Sequence, residues 1–160
     1  MKKYMLTLTV ALVLLSGCNN KSSNPSDNSE SPFPAVSEPY RAEQAAENGD
    51  VVGLHGVTYN LDKWTAFLAN LDTGVRDQVR ITQYTDEGDP IFYELVYDGT
   101  ESILYTFDNS MDSFGSDAGR PSTVCRDIEL EENKEIGSHY KLTGCDYDTS
   151  ETFWFMKNSN

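Results

Sequence analysis

Three segments that alternate apolar and polar residues dominate the middle of this chain. They read "QVRITQYT", "IFYELVY" and "SILYTFD", and the short joints "DEGDP" and "DGTE" connect them. Period-two alternation sends successive side chains to opposite faces, and Gly- and Asp-bearing joints of this length close antiparallel hairpins. A chain with this pattern is committed to a meander, and everything else must pack around it. If Ile81 pairs with Tyr93, then Val79 faces Leu95 and Gln83 faces Ile91. If Leu95 pairs next with Tyr105, then Tyr93 faces Phe107. One face thereby collects Val79, Ile81, Ile91, Tyr93, Leu95, Ile103, Tyr105 and Phe107.

So apolar a face needs a cover, and "NLDKWTAFLANLDTG" supplies it. Leu61, Trp64, Phe67, Leu68 and Leu71 recur at helical spacing, with Asn60 as N-cap and Gly74 as stop. A shorter helix is expected in "SEPYRAEQAAENGD", with Ser37 as cap, Pro39 in the first turn and Gly49 as stop. "VVGLHG", Val51 to Gly56, reads as a short strand, and "ETFWFM" as the last one, with Phe153 and Phe155 on one face. The expected fold class is α+β. It comprises a curled antiparallel β-sheet of about six to seven strands, in meander and hairpins, on one main amphipathic helix plus a short N-terminal helix.

Two of the three cysteines, Cys125 and Cys145, lie in "VCRDIELEENKEIGSHYKLTGC", which reads as a further hairpin. Placing them directly opposite pairs Glu129 with Lys141, Glu131 with His139, Ile128 with Leu142 and Leu130 with Tyr140. Opposite charges then share one face and apolar side chains the other, as cross-strand pairing favours. A disulfide here closes a loop that contributes on the order of 3 kcal/mol in the chain-entropy model. Such a bond belongs to an oxidising compartment.

The N-terminus agrees. Lys2 and Lys3 precede the apolar run Tyr4 to Leu15, which ends in the small residues Ser16 and Gly17. A positive start, a short apolar core and a small-residue end make an export signal, and the run is too short to span a bilayer. Leu15-Ser16-Gly17-Cys18 resembles a bacterial lipobox. The resemblance implies cleavage before Cys18 and a diacylglyceryl thioether on its sulfur, whose two acyl chains, such as palmitate, are sufficient for stable anchoring. From Asn19 to Ser37, Ser, Asn and Pro predominate, a composition that stays disordered and serves as a tether. The expected organisation is a signal over 1–17, a tether over 18–37 and one α+β domain over 38–160. Removing Lys2 and Lys3 from the 12 basic residues leaves 10 against 26 acidic ones, a net charge of −16. Nucleic acid is excluded as a partner by that balance.

Residues with catalytic or metal-binding potential are sparse. His55 and His139 share no metal-ligand spacing with each other or with the cysteines. No nucleophile elbow, phosphate loop or cofactor-binding motif is visible. "DNSMDSFGSDAGR" is the suggestive exception. Asp108, Ser110 and Asp112 alternate like the start of a calcium loop, with Asp117 beyond, but Ser113 replaces the turn glycine and Gly119 the bidentate glutamate. An Asp-rich connection of this kind is normally a set of surface Asx turns. Tyr84, Tyr97, Tyr140 and Tyr147 are more than one sheet face needs, and exposed aromatic side chains suit contact surfaces.

The lipobox, "ENGDVV", "NLDK", "VRITQYTDEGDPIFYELVYDG", "YTFDNSMDSFG" and "VC…YKLTGC" together resemble domain-of-unknown-function family 4362, small lipoproteins of spore-forming Gram-positive bacteria. The resemblance spans about Glu47 to Cys145 and brings no catalytic residue. It implies Cys18 as the lipid site, Cys125 and Cys145 as a bridge, and a cell membrane location on the extracytoplasmic face. The expected function is a membrane-anchored, non-enzymatic binding or interaction module for a protein or small-molecule partner, without a cofactor. Two alternatives are a calcium-responsive surface protein using the Asp108–Asp117 loop and a hydrolase using His55.

Overall fold

The meander forms in the register its alternation requires. The computed structural model describes residues 32–54, 57–135 and 137–157. The signal-like segment, Cys18, the tether as far as residue 31 and His55 lie outside them. Strands β3 (Asp77–Tyr84), β4 (Pro90–Tyr97) and β5 (Ile103–Asp108) pair antiparallel, with Val79 opposite Leu95, Ile81 opposite Tyr93 and Leu95 opposite Tyr105. The first joint needs Gly88 at φ 94°, a left-handed conformation that only glycine adopts without strain.

Around the meander the sheet grows to six strands, and it is mixed. β1 (Val51–Leu54) pairs parallel with β3, not antiparallel, with Val51 beside Ile81. β2 (Val57–Tyr59) is a strand the pattern did not announce; it is short and pairs antiparallel with β1. Helix α2 (Leu61–Thr73) carries the chain from this edge back to β3, which is why β1 and β3 run in the same direction. At the other edge β6 (Ser122–Cys125) pairs with β5, giving the order β2-β1-β3-β4-β5-β6.

The second cysteine-bearing hairpin is broken where the sequence reads as continuous. The chain bends at Arg126 and leaves the first sheet, so β7 (Asp127–Asn133) and β8 (Gly137–Thr143) belong to a separate sheet with β9 (Phe155–Met156). Within it the register is the one set by opposed cysteines, with Glu129 opposite Lys141 and Leu130 opposite Tyr140. Cys125, at the end of β6, is disulfide-bonded to Cys145, so the bond ties the two sheets at the crossing. The final strand is shorter than expected because Asp148–Thr152 winds into a 3₁₀ turn before it.

Trp64 is the centre of the main core. It is 2% exposed and touches Phe67 on its own helix, Tyr140 on β8 and both Phe153 and Phe155. Phe153 also meets Tyr93 and Tyr105 edge-on. Helix, first sheet and second sheet therefore converge on one aromatic cluster. Gly74 ends α2 as expected, but Asn60 holds the start differently. Its amide donates to the carbonyls of Ala46 and Asp50 and makes no cap within the helix.

The opposite face of the first sheet is covered by α1 (Ala42–Glu47) and the chain before it. The helix starts later than the Ser37 cap predicts, because Tyr40 turns inward to 2% exposure and Ser37 Oγ bonds Gln44 instead. Order also reaches back before residue 38, since the compact unit begins at Pro32. Replacing Cys125 and Cys145 by serine should lower the unfolding free energy in urea by about 3 kcal/mol. A loss below about 1 kcal/mol would mean that the crossing is held without the bond.

Candidate functional site

The structure disperses most residues that the sequence singles out for chemistry. Asp108 Oδ1 accepts from the Ser110 amide and hydroxyl, and Asp112 Oδ1 accepts from the amides of Phe114 and Gly115. These are Asx turns. Asp117 lies exposed with φ 57°. Asn109 closes the neck of the loop against Gly119, and the Ser113 amide bonds Asp89. Among the described residues no three His, Cys, Asp or Glu side chains gather closely enough to hold a metal ion.

His139 is buried with its ring stacked on Trp154 at 4.0 Å, and its Nδ1 has no hydrogen-bond partner among the described residues. Its cross-strand neighbour Glu131 turns instead to Lys141, 2.9 Å away. That ammonium holds the Glu131 carboxyl below the ordinary carboxylate range, and Glu131 in return raises Lys141. Of the four tyrosines considered for contact, Tyr97 is buried, Tyr84 and Tyr140 are half-buried, and Tyr147 is exposed.

An ionic cluster lies beneath α1, on the face of the meander that the apolar pattern leaves unassigned. Arg80 and Asp50 are each 2% exposed and meet through Nε and Oδ1 at 2.9 Å. Tyr40 and Thr82 donate their hydroxyls to Asp50 Oδ2, and Asn48 donates to Tyr40. Arg80 also donates to the carbonyl of Pro34 and lies over the rings of Phe33, Tyr40 and Phe92. Beyond it stands Glu94, 3.7 Å from Arg80 and in direct ion contact with Arg120, which in turn meets Asp108 at 3.2 Å. Arg80 and Glu94 sit directly opposite in the meander register, so this pair was there to be found in the alternation. The buried charges are engaged with one another, which makes the cluster a fastening between segments.

The open site is on the other side. α2, the β4–β5 turn and the start of the second sheet enclose a groove of about 630 Å³. Its apolar walls include Leu68 and Leu71 from α2, Ile128 and Leu130 from β7, and Tyr140 from β8. Asp72, Glu101, Asp127 and Arg126 stand at its rim, all exposed. These residues come from four separated segments that the sheet crossing at Arg126 brings together, so no local motif marks them. The arrangement offers apolar contact with a charged border, the anatomy of a binding surface.

The two regions respond differently to substitution. Asp50→Ala strands a buried guanidinium and should lower the unfolding free energy by about 3–5 kcal/mol, whereas Asp72→Ala at the rim should change it by less than about 0.5 kcal/mol, both read by urea denaturation. Alkaline pH provides a second test. Burial raises the phenols of Tyr40, Tyr84, Tyr93 and Tyr105 above the ordinary value of 10.0. The stability they contribute is fully present below about 10 and is lost as pH rises through their raised values. Exposed tyrosines such as Tyr59 and Tyr147 ionise first, and the remaining tyrosinate absorbance, that of the buried phenols, should appear only together with the loss of circular dichroism; full tyrosinate absorbance well before unfolding would contradict the burial.

No curated protein and no solved structure matches this chain. The family described as "Domain of unknown function (DUF4362)" matches residues 48–141, a span that takes in β1, β2, α2, the meander, β6, the sheet crossing at Arg126, β7 and most of β8. With the meander, the crossing and all the groove-lining residues inside that span, the chain belongs to the DUF4362 family.

Proposed function

We propose that this protein is an extracytoplasmic lipoprotein, anchored through Cys18, whose folded domain is a non-enzymatic binding module that receives its partner in the groove between α2 and the second sheet. The observation that carries the reading is the groove itself, about 630 Å³, whose lining mixes Leu68, Leu71, Ile128 and Leu130 with Asp72, Glu101, Arg126 and Asp127. A volume of that order is ordinary for a ligand site, and apolar contacts beside charged groups suit a binding surface. The lipobox and the Ser/Asn/Pro-rich stretch support the anchoring half, since a lipidated cysteine followed by a flexible spacer sets a domain off the bilayer. Among the described residues no helix is long and apolar enough to cross a membrane.

The disulfide supports the same location. It takes up Cys125 and Cys145, two of the three cysteines of the chain, so neither competes with Cys18 for the role of lipid site.

Full-length protein in its native membranes, carrying a photo-crosslinking residue at Leu130 or at Phe114, tests both halves. The wild-type sequence should fractionate with membranes and Cys18→Ser with the soluble fraction. A discrete adduct should form from Leu130 and not from Phe114, which is 78% exposed outside the groove. Adducts of equal yield at both positions, or Cys18→Ser remaining on the membrane, would contradict the corresponding half.

A further inference from the structure

We infer that the groove takes an amphipathic, Lys- or Arg-bearing peptide segment of a partner protein, an inference that rests on the groove being the binding site. Charge carries it. Three of the four ionisable rim residues, Asp72, Glu101 and Asp127, are acidic, and Arg126 is the lone cation lining the groove among the described residues. Arg126 packs its stem against Gly144, where an added Cβ would meet the side chain at 3.1–3.3 Å. The carboxylates of Asp72 and Glu101 have no side-chain partner among the described residues, so they are open to an incoming cation. The chain as a whole carries a net charge of −14, which draws a basic partner to the surface before contact is made.

Shape selects a peptide over a small cation. Asp72, Glu101, Arg126, Asp127 and Leu130 are all exposed, so the groove lies open along its border and does not enclose a ligand. Drug-sized molecules lose most of their surface to a closed pocket, whereas an open groove of mixed apolar and acidic lining suits an amphipathic segment that lays one face into it. Leucine-type side chains of such a segment contact Leu68, Leu71 and Leu130, while its cations reach the carboxylates at the rim.

The test titrates the full chain with three probes: a fluorescent decapeptide of alternating leucine and lysine, its leucine–glutamate counterpart, and spermine. The lysine peptide should bind at least about ten-fold more tightly than either of the others. Asp72→Lys combined with Glu101→Lys should weaken the lysine peptide about ten-fold and strengthen the glutamate peptide, and raised salt should reduce the lysine preference. Leu130→Ser, which removes the apolar contact without adding charge at a partly exposed position, should weaken the lysine peptide similarly. Equal binding of both peptides, lost in Leu130→Ser, overturns the charge inference and leaves the groove as binding site. Spermine binding as tight as the peptide overturns the choice of a peptide. Failure of all three probes overturns the inference, and the Leu130 crosslink then decides separately whether the groove is a binding site.

Discussion

Arg80 and Asp50 hold the outer half of this molecule in place. A guanidinium and a carboxylate buried together have lost water on every side, and they persist only where surrounding groups satisfy them fully. Here Tyr40, Thr82 and the Pro34 carbonyl supply the remaining bonds, while Phe33, Tyr40 and Phe92 present their rings. The groups come from three segments, Phe33, Pro34 and Tyr40 before α1, Asp50 at the turn into β1, and Arg80, Thr82 and Phe92 in the meander. The cluster therefore fixes the chain before α1, the turn into β1 and the middle of the meander in one arrangement. Through Glu94 and Arg120 it also reaches the Asp108–Arg120 loop, whose far end folds on its own Asx turns.

On the other face the fastening is apolar. Trp64 joins α2 to the second sheet, and Phe153 closes the cluster against Tyr93 and Tyr105. A helix packed between two sheets that part at Arg126 cannot fill the angle between them completely. The groove occupies that angle, with rigid elements on three sides. Such a position keeps a recognition surface in fixed shape without needing an enclosed pocket.

The meander and its register were legible because alternation, turn chemistry and an apolar face all demand the same pairing, so that a slip by one residue would expose Ile81, Tyr93 and Leu95 together. The second hairpin was legible for a similar reason, with opposed cysteines, charges and apolar pairs all compatible with one register. What escaped were the features that depend on three-dimensional connection. Nothing local tells Val51 to run parallel to Ile81, and nothing in "VCRDIEL" marks Arg126 as the point where the chain changes sheets. The ionic cluster was half visible, since Arg80 and Glu94 follow from the register. Asp50, however, arrives from a distant segment, and its burial depends on α1 being drawn in by Tyr40. Of the groove residues only Tyr97 and Tyr140 carried a signal, as tyrosines in excess of one sheet face, because neither α2 nor β7 shows by itself which part of its apolar face remains uncovered.

The most direct measurement of the central claim is an amide and methyl NMR map of the full chain titrated with the alternating leucine–lysine peptide. Shifts concentrated on Leu68, Leu71, Ile128, Leu130 and Tyr140, with Arg80 and the Asp108–Arg120 loop unmoved, are the predicted result. Shifts centred on that loop or on the exposed edge residues Val57 and Tyr59, with the groove silent, would contradict it.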